Sequence, residues 1–190
     1  MGEFDNSLDN IMLKQVEFGL DFESRVVYLN TEISMESQID IISRTNYLYN
    51  SDKNRAKEYI NFYISSYGGD VYSMLGLLDY MRTFPVKINT FCQGAAMSAA
   101  AVILACGTGK RRASENSTIM FHQMSAESFG KVGDISKNTD HLKVLQKRVY
   151  NILYKRTKKD IKFWEKNLKE DFYLSVEDAL KLNIIDEIIK

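Results

Sequence analysis

Between Phe91 and Ala105 the chain runs from a strand through Gly94-Ala95-Ala96 into small, helix-forming residues, with one serine, Ser98, at the changeover. A backbone that turns this tightly needs residues with little or no side chain. The serine then stands at or next to a helix N-terminus, where free N–H groups and the helix dipole favour negative charge. That is where a hydrolase needs its nucleophile. An ordinary N-cap serine on a buried helix is the plainer reading of the same segment.

A second corner lies upstream. Ile60, Phe62 and Ile64 alternate with Asn61 and Tyr63 as in a strand, which runs into Gly68-Gly69. Val71, Met74, Leu75, Leu78 and Met81 follow at helical spacing. Glycines at such a corner let a backbone N–H point into open space at a reacting group. Downstream, Ser117-Thr118-Ile119-Met120-Phe121 predicts a short buried strand that delivers His122 at its end. His122 is one of only two histidines, and so a candidate general base. A polar residue ending a strand is the alternative.

The third segment is Glu170 to Leu180. Ser175, with Asp178 three residues on, forms a capping box that opens the last helix. Asp171 precedes it in a loop held near the core by Phe172, Tyr173 and Leu174. A carboxylate so placed can orient an imidazole and stabilise its charged form. Glu170 and Asp178 are equal candidates on chemistry alone.

In register, these segments resemble the ClpP family, the proteolytic subunits of Clp proteases. Ser66-Tyr67-Gly68-Gly69 resembles the family's Ser-Pro-Gly-Gly turn, and Gly94-Ala95-Ala96-Met97-Ser98-Ala99 its Gly-x-Ala-x-Ser-x nucleophile turn. Met120-Phe121-His122-Gln123 resembles Met-Ile-His-Gln. Asp171-Phe172-Tyr173-Leu174-Ser175, with Glu177-Asp178-Ala179, resembles the segment carrying the family's aspartate, and Leu182-Asn183-Ile184-Ile185-Asp186 its ending. The similarity runs from about Arg25 to the C-terminus.

The resemblance implies an α/β, crotonase-like fold of repeated β-β-α units with a protruding helical handle at about 124–158. It divides the chain into an N-terminal segment, 1–23, which in the family carries a flexible axial loop, and a peptidase domain, 24–190. It makes Ser98 the nucleophile, His122 the base and Asp171 the residue that orients it, with the N–H groups of Gly69 and Ala99 as the oxyanion hole. The implied activity is serine-type endopeptidase, without metal or organic cofactor, inside a homo-oligomeric chamber of stacked heptameric rings, a tetradecamer. Peptides and unfolded proteins are the implied substrates, a hexameric Clp ATPase unfoldase the implied partner, and the cytoplasm the implied setting. The alternatives are a non-catalytic ClpP-like subunit and a crotonase-type acyl-CoA enzyme.

Four departures from the family pattern stand out. Tyr67 replaces the usual proline, and Met124 replaces the proline that follows His-Gln. Ser98 to His122 is one residue shorter than usual, the difference falling in the Cys106–Lys110 turn, and Glu170 stands where arginine is common in ring contacts. None removes a catalytic group.

The rest of the chain fits one domain. At 190 residues it is long enough for a sizeable core, and 25 acidic against 25 basic residues give no charge argument for nucleic acid or membrane. No apolar stretch is long enough to span a bilayer, and no segment has the pattern of a secretory leader. Cys92 and Cys106 lie in apolar surroundings and read as free, buried thiols. Val26–Leu29 predicts a strand, and a helix starts near Ser34 with Met35, Ile39 and Ile42 on one face and Ile41 and Leu48 nearby. Ser51 to Lys57 reads as a solvated loop. Asp134 to Lys158 predicts a long amphipathic helix carrying Leu142, Leu145, Val149 and Ile152, with His141 at solvent or an interface; Trp164 reads as core.

Overall fold

Five parallel strands form the spine of the molecule. The computed structural model describes residues 20–21, 24–51, 59–125, 130–157 and 159–190. The expected axial loop within residues 1–23 and most of the expected solvated loop at 51–57 lie outside the described residues. The spine runs β2 (Val26–Leu29), β3 (Tyr59–Ser66), β4 (Lys87–Met97), β5 (Arg111–Ser114) and β8 (Glu187–Ile189). A short β1 (Leu20–Asp21) lies antiparallel on β2. β6 (Thr118–Phe121) pairs parallel with the far half of β4, and β7 (Phe172–Leu174) pairs antiparallel with β6.

The strand pattern behaves as the sequence requires. In β3, Ile60, Phe62 and Ile64 are fully buried while Asn61 and Tyr63 are half-buried. Of the helices, α1 (Met35–Ser51) and α2 (Val71–Thr83) flank the sheet, and α3 (Ala99–Ala105) is buried along all seven residues. A helix apolar on every side belongs in a core, and alanines let it pack close to its neighbours. Then come α4 (Val132–Thr157), α5 (Ile161–Asn167) and α6 (Val176–Lys181). Trp164 of α5 is fully buried against Phe121 and Phe163, as its setting predicts. In α4 the buried positions are Leu145, Val149, Tyr150, Leu153 and Thr157, so its C-terminal half packs on the body while Val132, at its start, is 85% exposed.

One local expectation is corrected, and one helix face is left uncovered. Residues 94–96 form no tight turn: β4 continues through them to Met97. Gly94, at φ +86°, sits between the part of β4 that pairs with β5 at Thr90–Cys92 and the part that pairs with β6 at Ala95–Met97. The small residues serve a strand that changes neighbours, and the sharp turn comes later, at Ser98. In α1 the buried face is Ile41, Thr45 and Leu48, whereas Met35 and Ile39 are 72% and 63% exposed. Periodicity found an apolar face there, but a single chain offers it nothing to pack against.

The C-terminal strand is fastened by charge. The Arg111 guanidinium is buried and pairs with Asp186 through two nitrogens, and it also donates to the carbonyls of Ala105 and Asn183. Burial raises the Asp186 pKa, but the Arg111 hydrogen bonds outweigh it and hold the carboxyl below its ordinary 3.8. A depressed carboxylate contributes stability above its unfolded pKa and loses it as pH falls through the folded one. Asp186→Ala strands a buried cation, a loss worth about 3–5 kcal/mol in a fully buried pair. Because Asp186 is 38% exposed, we expect roughly 2–3 kcal/mol, a fall in Tm of about 5–10 °C at pH 7 that shrinks below pH 4. Thermal melts at both pH values check it.

Candidate active site

Ser98 carries the most unusual backbone in its neighbourhood. Its φ of 52° and ψ of −123° place a non-glycine residue in a sparsely populated region. Strain of this kind persists only where the surroundings impose it, and strand-to-helix turns that present a nucleophile are one such place. Here the imposing contacts are identifiable. Ser98 N–H donates to the Met120 carbonyl at 2.8 Å, fixing the turn to the end of β6. Gly68 lies against it so closely that a Cβ there would stand 2.8 Å from both Met97 O and Ser98 Cβ. The Ser98 side chain makes no capping hydrogen bond to α3. The N-cap reading therefore fails at the hydroxyl, which is left for other chemistry.

The double glycine is pinned from its other side. Ile33 N–H donates to Gly68 O at 2.8 Å and Asp70 N–H to Ile33 O at 2.7 Å, a two-bond bridge that brackets Gly69. Gly69, at φ +145°, has no room for a Cβ, which would collide with the Ile33 carbonyl. Bracketing leaves the Gly69 N–H itself facing away from the bridge. Among the described residues neither it nor the Ala99 N–H donates to any backbone or side-chain group. Ala99, the first residue of α3, has no intrahelical acceptor.

Gly69, Ser98, Ala99 and His122 line one cleft of about 460 Å³. Its remaining wall is largely apolar, with Met74, Val102, Phe121, Leu142 and Val149. His122 is half-buried, one residue past the end of β6. Asp171 is exposed and does not line the cleft. The sheet register nevertheless brings it close to the histidine. In the antiparallel ladder Ile119 faces Leu174, Met120 faces Tyr173 and Phe121 faces Phe172. The ladder ends at that pair, and His122 and Asp171 are the next residues along the two chains. Among the described residues no hydrogen bond joins Ser98 to His122, or His122 to Asp171.

The rival carboxylates fare differently. Asp178 is committed to its helix: its N–H donates to Ser175 Oγ at 3.2 Å, and its carboxylate takes the Ser175 hydroxyl and Lys181. Those bonds hold its pKa below the ordinary value. Ser175 caps the helix as expected, but the reciprocal bond from its N–H to Asp178 that would complete a capping box is not among those of the described residues. Glu170 is exposed in the turn between α5 and β7, next to Asp171. The thiols are also set aside as nucleophiles, since burial pushes Cys92 up to about 11 and Cys106 up to about 12. Both cysteines are free. Among the described residues no cluster of histidine, cysteine or carboxylate side chains is arranged to hold a metal ion.

Sequence reasoning missed the contribution of α4. Leu142, Gln146 and Val149 of this helix line the cleft, Gln146 Oε1 accepts the Met124 N–H at 2.7 Å, and His141 Nε2 lies 2.8 Å from the hydroxyl of Tyr72, another cleft residue. The amphipathic pattern revealed a packed face without showing what it packs on.

Comparison with known proteins identifies the family of the chain. The model of the Clp protease family, described as "Clp protease", matches residues 15–190. An ATP-dependent Clp protease proteolytic subunit 2 of Frankia casuarinae is 35% identical over 96% of this chain and 87% of its own length. A proteolytic subunit 1 of Prochlorococcus marinus is 33% identical over 87% and 84%, and the proteolytic subunit of Deinococcus radiodurans 31% over 88% and 81%. With a family match across nearly the whole described fold and relatives above 30% identity along most of both chains, the chain belongs to the Clp protease family.

Proposed function

We propose that this chain, a serine-type peptidase of the Clp protease family, cuts peptide bonds with Ser98 as nucleophile, His122 as general base and Asp171 as the residue that orients the imidazole. The observation that carries the reading is the cleft itself, where a strained serine with an uncommitted hydroxyl shares its walls with a histidine and two unused backbone donors. His122 takes the proton as Ser98 Oγ attacks the peptide carbonyl. The N–H groups of Gly69 and Ala99 receive the oxyanion, each donor contributing about 3–4 kcal/mol to the transition state. His122 then protonates the leaving amine, and water releases the acyl-enzyme by the reverse route. Catalytic hydrogen bonds often tighten only when substrate is bound. Asp171 and His122 flank the last pair of the β6–β7 ladder, Phe172 and Phe121, which supports their meeting in the working site.

The relatives are named as subunits of ATP-dependent Clp proteases, which supports assembly of this chain into a ring oligomer that receives substrate from a Clp ATPase. Stacked heptameric rings around an enclosed chamber, with the 124–158 region as the handle between them, are the arrangement we propose. The exposed Met35 and Ile39 of α1 and Val132 and Val144 of α4 are apolar surface suited to contacts between copies. No helix among the described residues is long and apolar enough to cross a membrane, and the two free thiols suit a cytoplasmic setting.

A fluorophosphonate serine probe tests the reading. The assembled wild type should label at one serine, and Asp171→Asn should lower kcat toward a short fluorogenic peptide about 10⁴-fold, the loss seen when an imidazole is held in the wrong tautomer. An assembled protein that does not label, or an Asp171→Asn variant with full activity, would overturn the assignment.

A further inference from the structure

The β6–β7 ladder ends at Phe121, so the sheet no longer holds the chain that follows. The next backbone hydrogen bond on that path is the Met124 N–H to Gln146 Oε1, at 2.7 Å. Met124 lies two residues beyond His122, and His122, Met124 and Gln146 all line the catalytic cleft. Gln146 belongs to α4, 22 residues away in sequence, and its neighbours Leu145 and Val149 are anchored in the body. Among the described residues the amide nitrogen of Gln146 is buried without a hydrogen-bond partner. The orientation of the amide is thus decided by the backbone donor, since only Oε1 can accept from it. This tether depends on a residue with an N–H at position 124, which proline lacks.

We infer that Gln146 is a positioning residue for His122. By holding the Met124 backbone it fixes the short span that leaves β6, and with it the distance between the imidazole and Ser98. The inference rests on the reading of Ser98 and His122 as the catalytic pair. A glutamine that only satisfied a half-buried N–H would affect folding and leave the geometry of the base unchanged.

Three variants separate these roles. Gln146→Leu removes the acceptor at similar size, Gln146→Glu keeps an acceptor, and Gln146→Asn keeps the amide but withdraws it by one methylene. With a short fluorogenic peptide, we expect Gln146→Leu to lower kcat roughly ten- to hundredfold, as misplacement of a catalytic group does. KM should stay within about twofold, because the apolar cleft wall is retained. The fluorophosphonate labelling rate should fall in parallel while Tm and assembly hold, and Gln146→Glu should recover most of the loss. Should Gln146→Leu fail to fold, slowed labelling by Gln146→Asn carries the same conclusion, and labelling at the wild-type rate refutes it. The inference is overturned by full kcat in Gln146→Leu, by a loss that only tracks the folded fraction, or by a Gln146→Glu variant as impaired as the leucine one. Wild type that itself fails to label would sink the catalytic reading; wild type and Gln146→Leu labelling equally fast would sink only this inference.

Discussion

Ser98→Ala is expected to abolish peptide hydrolysis and fluorophosphonate labelling while leaving fold and assembly intact. The expected loss is about 10⁶ in kcat, the scale seen when the nucleophile of a triad is removed. The structural cost should be small for a specific reason. The Ser98 hydroxyl caps nothing, and its backbone tie to Met120 runs through the N–H, which alanine keeps. Alanine carries the same Cβ, so it meets the same strain at φ 52° and the same close approach of Gly68. Stability should therefore change by no more than about 0.5 kcal/mol, as for a substitution that touches no named stabilising feature. Peptidase assays, probe labelling, thermal melts and sedimentation on one preparation check all of this. An inactive variant that no longer assembles would make the serine structural.

Gly69→Ala should damage fold and catalysis together. A methyl at this position meets the Ile33 backbone on three atoms, with Ile33 N 2.8 Å and Ile33 C 2.9 Å from the added carbon and the carbonyl oxygen closer still. These are main-chain atoms in a bridge whose bonds are 2.8 and 2.7 Å long, so no side chain can swing aside. Relief requires opening the bridge or turning the Gly68–Gly69 peptide, and either moves the N–H proposed for the oxyanion hole. We expect a stability loss of about 3 kcal/mol or more from combined strain and lost pairing. The kcat should fall 10²- to 10³-fold, the effect of removing one oxyanion donor. Gly133→Ala is the control. It lies in α4 with nothing within 4 Å of an added Cβ, and should be neutral or stabilising by up to about 1 kcal/mol. Denaturant titrations of both variants, with peptidase kinetics, separate the cases. Full activity in Gly69→Ala would remove that N–H from the mechanism.

How much of this was legible beforehand depends on the range of the interaction concerned. The strand at Ile60–Ile64, the helix after Gly68-Gly69, the cap at Ser175 and the core role of Trp164 are local or compositional signals, and the structure bears out each one. The expected turn at 94–96 failed because small residues serve equally a turn and a strand that must pass close to its neighbours. Periodicity placed Met35 and Ile39 on one helix face without naming what that face meets, and both are exposed. Ser98 and His122 could be singled out because each sits at the end of an element. On residue chemistry alone Asp171 could not be separated from Glu170 and Asp178.

By itself, the sequence determined which segments become strands and helices, where the backbone must be glycine, and which side chains could do chemistry. Those follow from side-chain shape and from contacts within a few residues. Tertiary structure decided the rest. The register of β7 on β6 leaves Asp171 and His122 beside one terminal pair, Phe172 and Phe121, and the Ile33 bridge holds the turn at Gly69. The seating of α4 brings Gln146 to Met124. Each joins residues more than twenty positions apart, where pairing is chosen by the packing of the whole core and leaves no periodic trace in the chain.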